Sequence, residues 1–235
     1  HLVIRRQRQM CIRDSKESVV EMSGVLVLDE FLESQPKRVH KSHRKLARVV
    51  REAYPIGVPA LIMKSSTDRL GASAGYSFHL GTPDDILRRI ASWLITYAKG
   101  NQDVLWRLMR ELWSRHGRED VALSALLLAN LDHQAAGTDP WDILSSLINT
   151  KEPVDALLLS IEEVLRAGHG GPSNVQYESW CSGRMVETHL ALISAFASLN
   201  SGLDIPPRVI ALLLDVDVPD GDTLLGRIRD RFSEL

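Results

Sequence analysis

Cysteine is nearly absent from this chain: Cys11 and Cys181 are the only two in 235 residues. A framework of disulfides is thereby excluded, and the usage fits a reducing compartment. No apolar run reaches the roughly 18 residues that a membrane span requires, and no secretory signal is visible. Strand patterning is missing too; the best candidate, Val25-Leu26-Val27-Leu28, has helical flanks. No glycine loop of the Walker or dinucleotide type occurs. Gly168-His169-Gly170-Gly171 has no strand before it and reads as a flexible turn. No histidine pairs with a cysteine or carboxylate at metal-ligand spacing, and His40 and His43 stand in a cationic stretch where a divalent ion gains little. Ser124, Ser145 and Cys181 have no base partner, so nothing supports nucleophilic catalysis. The reading is of a cytoplasmic protein with no metal, no cofactor and no membrane.

The opening residues are read apart from the rest. Arg5 to Ser15, RRQRQMCIRDS, matches one reading frame of a common transposase-based sequencing adapter, so residues 1–15 are expected to be adapter-derived and are set aside. The native part then starts near Lys16, with Met22 either internal or an initiator. Removing Arg5, Arg6, Arg8, Arg13 and Asp14 takes 28 basic residues to 24 and 30 acidic residues to 29, so the net charge moves from -2 to -5. Cys181 is left as the only thiol. The remaining ~220 residues suffice for one sizeable core.

What is present is helical punctuation. Residues 101–167 read as four amphipathic helices separated by short breaks: Asn101 as an N-cap, Gly117 as a stop, Asp139-Pro140 and Pro153 as starts. Alternate openings lie roughly 35 to 38 residues apart, a period typical of helical-pair repeats. Stacked pairs bury a core only against their neighbours and leave a concave face for binding. Upstream, Glu17–Ser34 and His40–Ala53 read as helices, the second burying Leu46, Val49, Val50 and Ala53. Tyr54–Gly81 reads as a long loop with a short helix near Pro59–Met63; a loop of that length is either functional or misread. Thr82-Pro83-Asp84-Asp85 is a helix start, with Thr82 as N-cap. Gly168–Ser179 reads as a break, followed by helices at Cys181–Leu199, from Pro206-Pro207 to Leu214, and at Thr223–Phe232. The expected fold is all-α: an α-solenoid of HEAT-like antiparallel helix pairs. It forms one domain over 16–235, with an N-terminal helical cap and long loop (16–81) and repeats over 82–235.

Two features bear on function. Lys37, Arg38, Lys41, Arg44, Lys45, Arg48 and Arg51 follow one another with no acid between them, either a solvated surface or a phosphate-contacting face. Arg88, Arg89, Arg107, Arg110, Arg115 and Arg118 extend that face if the helices stack. Asp155, in the first turn of the helix that Pro153 opens, is the carboxylate of interest, although the helix dipole alone favours an acid there. The five tryptophans read as core, with Trp141 half exposed at a rim and Trp180 the most accessible.

Four stretches, FHLGTPDDILRRI (78–90), RELW (110–113), REDVALSALL (118–127) and LINTKEPVD (147–155), together resemble the bacterial DNA alkylation repair glycosylases built from HEAT-like repeats. The resemblance spans roughly Phe78 to Leu199, about half the chain. It implies cleavage of the N-glycosidic bond of cationic alkylated purines, with Asp155 as the catalytic carboxylate beside the deoxyribose. It also implies duplex DNA as partner, with His189 at a DNA-contacting position; the basic run, read from its charge, adds Lys41, Arg44, Lys45 and Arg48, extended by Arg88 and Arg110, as the expected DNA-binding residues of a concave basic face. Where the family carries an aromatic pair before the aspartate, this chain has Pro153-Val154. Val186 and Glu187 stand where a further aromatic is expected, and His189 where an arginine is. The fold and DNA affinity are therefore expected to outlast the glycosylase activity. The alternative is a non-catalytic HEAT-like scaffold for a protein partner; a third class is a binder of structured RNA.

Overall fold

The computed structural model describes residues 24–66, 75–98, 100–150, 152–218 and 223–234. The adapter-like residues 1–15, Met22, the start of the first expected helix, Lys151 and part of the acidic 215–222 turn lie outside them. Among the described residues every regular element is helical and none is a strand. The all-α expectation holds, and Val25–Leu28 lies within α1 (24–33).

A 3-10 turn at Lys37–Lys41 leads into α2 (His43–Ala53). The short helix of the long loop is α3 (Ala60–Ser66), followed by α4 (Asp84–Ala98), α5 (Asp103–Arg115), α6 (Arg118–Asn130) and the single turn α7 (His133–Ala136). Then come α8 (Pro140–Leu147), α9 (Val154–Arg166), α10 (Asn174–Cys181), α11 (Met185–Asn200), α12 (Pro207–Leu214) and α13 (Thr223–Phe232). No described helix is long and apolar enough to cross a membrane.

Packing follows composition. In α6 every residue from Glu119 to Ala129 is buried, because the helix is touched on several sides, by α4, α5, α8 and α9. A helix apolar all round has to be central. From α6 two rows of contacts run outward. One links α4, α6, α9, α11 and α13; the other links α2, α5 and α8, and further on α10 and α12. Amphipathic α2 belongs to the rim: it buries Leu46, Ala47, Val49, Val50 and Ala53 and turns its charged residues to water.

Side-chain caps mark some of the boundaries. Asp139 accepts from the Trp141 and Asp142 amides (2.8 and 3.2 Å) ahead of α8, and Asn101 accepts from the Asp103 amide (3.1 Å). Three readings are corrected. The helix α4 starts at Asp84, not at Pro83 directly after Thr82, and the Thr82 hydroxyl donates to the Tyr54 carbonyl (3.0 Å). The Gly168–Ser179 break holds the start of α10, opened by a Ser173–Gln176 capping box. Trp141 and Trp180 are 1% and 3% exposed. They pack edge to face at 6.5 Å, and the Trp141 indole N–H donates to the Gly170 carbonyl (3.2 Å). The glycine-rich backbone covers the ring that a rim position would have exposed.

Candidate functional site

Residues 75–82, the end of the long loop, lie across the N-terminal ends of α4, α6 and α9. The attachment begins with Glu119, a buried acid in the first turn of α6. Its Oε1 accepts the amides of Leu80 (2.9 Å), Gly81 (2.9 Å) and Thr82 (3.3 Å). One carboxylate thus takes up three backbone donors that would otherwise be unpaired. The Arg118 amide donates to the Phe78 carbonyl (2.9 Å) and the Ser77 amide to the His116 carbonyl (2.8 Å). The outer end of the Phe78 ring lies against Gly117, where a Cβ would stand 2.1 Å from ring carbons. That position needs glycine for contact, rather than to stop a helix.

Beneath this segment Asp120 joins three elements. Its Oδ1 accepts from the Tyr54 hydroxyl (2.9 Å) and from Arg115 Nη2 (3.0 Å), and Arg115 Nε lies 2.9 Å from Oδ2. Arg115 also donates to the Ala47 carbonyl of α2 (2.8 Å). Burial raises the Asp120 carboxyl to about 6 despite the arginine beside it. The Tyr54 phenol is pushed well above its ordinary value by burial and then by Asp120.

At the far end of the segment stands Asp155. It is exposed, in the first turn of α9, where the helix dipole favours a negative charge. The buried Tyr76 donates its hydroxyl to Asp155 Oδ2 (3.0 Å). Burial, then the neighbouring carboxylate, pushes the Tyr76 phenol far up, so it is a donor at any physiological pH. The His116 ring flanks Tyr76, centroids 5.9 Å apart. His116 is also the only non-glycine residue with positive φ (58°) among those described, a conformation that costs energy and is held by surrounding contacts. Its Nε2 lies 3.3 Å from Oε2 of Glu152, whose side chain is fully buried. The Glu152 Oε1 accepts from the Trp113 indole (3.1 Å), the Asn149 amide (2.7 Å) and the Asn149 side chain (2.9 Å). Asp155 is therefore a carboxylate with one oxygen held by a phenol, backed by a histidine and a second, buried acid.

The other candidate residues fall in different places. Lys41, Arg44, Lys45 and Arg48 are exposed on or beside α2, on the side opposite its buried stripe. Arg51 continues that face and lies over the Phe78 ring, 5.6 Å from its centroid, which ties the basic helix to the 75–82 segment. Arg110 is exposed on α5, the neighbour of α2, next to Glu111, which meets His43 at 3.4 Å. Arg88 is not brought to this group. It bonds Asp84 on its own helix and Glu163 on α9, and those bonds raise its pKa further. His189 is half buried on α11, in the other part of the helical array. Among the described residues no cluster of three or more His, Cys, Asp or Glu has a geometry that holds a metal.

Tyr54, Tyr76 and His116 carry no motif; Asp120 and Glu152 fall within REDVALSALL and LINTKEPVD and Arg115 within the expected basic face, but nothing in the sequence assigns any of them the role it has here. The one signal was the length of the 54–81 connection, unusual unless it has work to do. The chain matches no protein-family model, no curated protein and no solved structure.

Proposed function

We propose that this chain is a DNA alkylation repair-like protein: an α-solenoid of HEAT-like helix pairs that binds duplex DNA along the basic face of α2, with Asp155 as its catalytic carboxylate. The two rows of helices packed outward from α6 support the repeat architecture. One observation carries the DNA reading. All seven cations from Lys37 to Arg51 are exposed, and among the described residues none has a carboxylate within ion-pair distance. Arg88, Arg89, Arg115, Arg166, Arg184, Arg208 and Arg231 do have such partners. Unpaired cations gathered on α2 and its entry turn, in a chain of net charge -2, suit a polyanion that releases counterions on binding.

The chemistry implied at Asp155 is modest. An alkylated purine already carries positive charge, so the C–N bond breaks with its electron pair going to the base, and no strong acid is required. Asp155, held at Oδ2 by Tyr76, would face the cationic sugar with Oδ1 and guide the water that adds to it. The water proton leaves to the carboxylate or to solvent.

A second reading, a non-catalytic scaffold for a protein partner, draws on the exposed Leu26 and Val27 of α1 and Leu61 and Ile62 of α3. The test is duplex binding at two salt concentrations, with plain and alkylated DNA, by the chain with and without residues 1–15. Binding that falls with salt, and a shallower salt slope in Arg44→Gln/Arg48→Gln, are expected. Asp155→Asn should abolish base release and keep the affinity. Absence of binding at low salt hands the lead to the scaffold.

A further inference from the structure

A second site lies at the opposite end of α2, between the Lys37–Lys41 turn and the α4–α5 junction. The cleft there has a volume of about 420 Å³, within the range of about 300–1,000 Å³ usual for small-molecule sites. Leu46, Leu94 and Leu105 form an apolar floor. One wall is aromatic: Tyr97, 41% exposed, is stacked on His40 with centroids 4.7 Å apart and planes 13° from parallel. Trp93 braces the other partner of that stack, 4.5 Å from His40. Lys37 and Lys41 stand at the cleft, and no acid is among its lining residues. Among the described residues neither lysine has a carboxylate partner.

We propose that this cleft binds a nucleobase carrying a phosphate, a ligand of the mononucleotide class. An exposed ring already held by a neighbour stacks on a planar base with little loss of freedom. Two unpaired amines beside it suit a phosphate. A bare phosphate would leave the ring and the leucine floor unused, and an uncharged aromatic would leave both lysines unanswered. The contrast with the cleft at Asn101 and Trp106 is informative: that one also has an aromatic, but Asp103 and Asp132 line it and would repel a phosphate. Burial lowers the pKa of His40, so its ring is neutral near pH 7 and offers a donor and an acceptor edge. The inference rests on this cleft alone and does not need Asp155 or duplex binding.

Calorimetric titration of the full chain with AMP, adenosine and inorganic phosphate tests it. Saturable AMP binding is expected, with adenosine and phosphate each weaker. Tyr97→Ala should weaken AMP about tenfold or more, as loss of one stacked base does, and Lys37→Gln/Lys41→Gln should weaken it comparably. Both sets lie at the surface and are not expected to disturb the fold. No saturable AMP binding overturns the proposal, as does phosphate binding as tightly as AMP, or an affinity unchanged in either variant. A 5′-phosphorylated single-stranded adenylate trimer separates the sources: tighter binding than AMP supports an unpaired base on a strand, and weaker binding supports the free nucleotide. Duplex binding without AMP binding would sink this site and leave the DNA reading standing; the converse would do the reverse.

Discussion

Asp120 has no exposed surface, yet it stands as an acid with one arginine and one phenol beside it. Its carboxyl, ordinarily near 3.8, is raised to about 6, chiefly by burial. An acid with a raised folded pKa binds its proton more tightly in the folded state. Its contribution favours folding below about pH 4 and is lost as pH rises to about 6. That interval corresponds to roughly 3 kcal/mol. Denaturant unfolding between pH 4 and 7 should show wild-type stability falling relative to Asp120→Asn across this window, then running parallel above it. Parallel profiles throughout would remove Asp120 as the source. Tyr76 makes a different prediction. Without its hydroxyl, Asp155 loses the bond that orients it, but water can replace the donor because the acid is exposed. Tyr76→Phe should cost about 1 kcal/mol of stability. Base release from an alkylated duplex, on the proposed function, should drop about tenfold or more. An unaltered rate in a folded variant would detach Tyr76 from the chemistry.

At the scale of elements, the start of α6 organises the site. Glu119 gathers three amides of the 80–82 backbone, and Gly117 seats Phe78. Glu119→Ala would leave those donors without a partner and is expected to cost about 3 kcal/mol. Glu119→Gln keeps an acceptor and should recover most of it; urea unfolding of both variants decides. Gly117→Ala sets a methyl against the Phe78 ring and should destabilise by about 1–3 kcal/mol. It should also displace Arg51, which lies over that ring. A Gly117→Ala protein as stable as wild type would mean that the ring moves aside freely. Element starts were legible where they carry local chemistry, as at Asp139-Pro140 and Pro153. The α10 start was not, because the three glycines in residues 168–171 outweighed the Ser173–Gln176 signal. Thr82 misled for another reason: α4 begins at Asp84, one residue beyond the Thr-Pro start, and the Thr82 side chain is tied across the fold to the Tyr54 carbonyl.

For the molecule as a whole, burial of α6 on several sides sets a hierarchy of stability. Amides in its middle, from Ala122 to Leu128, open only when the neighbouring helices separate, so their exchange should report global unfolding. The helices α12 and α13, which touch few neighbours, should open at lower cost. Native-state hydrogen exchange followed by mass spectrometry would show this order, and α6 amides exchanging as fast as those of α13 would refute it. At this scale charge is distributed unevenly: seven exposed cations with no acid between them in the chain gather on α2 and its entry turn, while Arg88 and Arg166 share Glu163.

Sequence alone determined the class of the fold and most helix boundaries, since apolar spacing and capping residues act within a few positions of one another. It also located the basic helix, whose charges are contiguous in the chain. Only the tertiary structure decided which groups meet. Asp155 meets Tyr76 across 79 positions and Tyr54 meets Asp120 across 66. The buried Trp141 and the neutralised Arg88 are settled in the same way, by neighbours on other elements. Local propensity has a range of one or two helical turns; burial, pairing and desolvation depend on surfaces brought together from distant segments, and no local pattern encodes them.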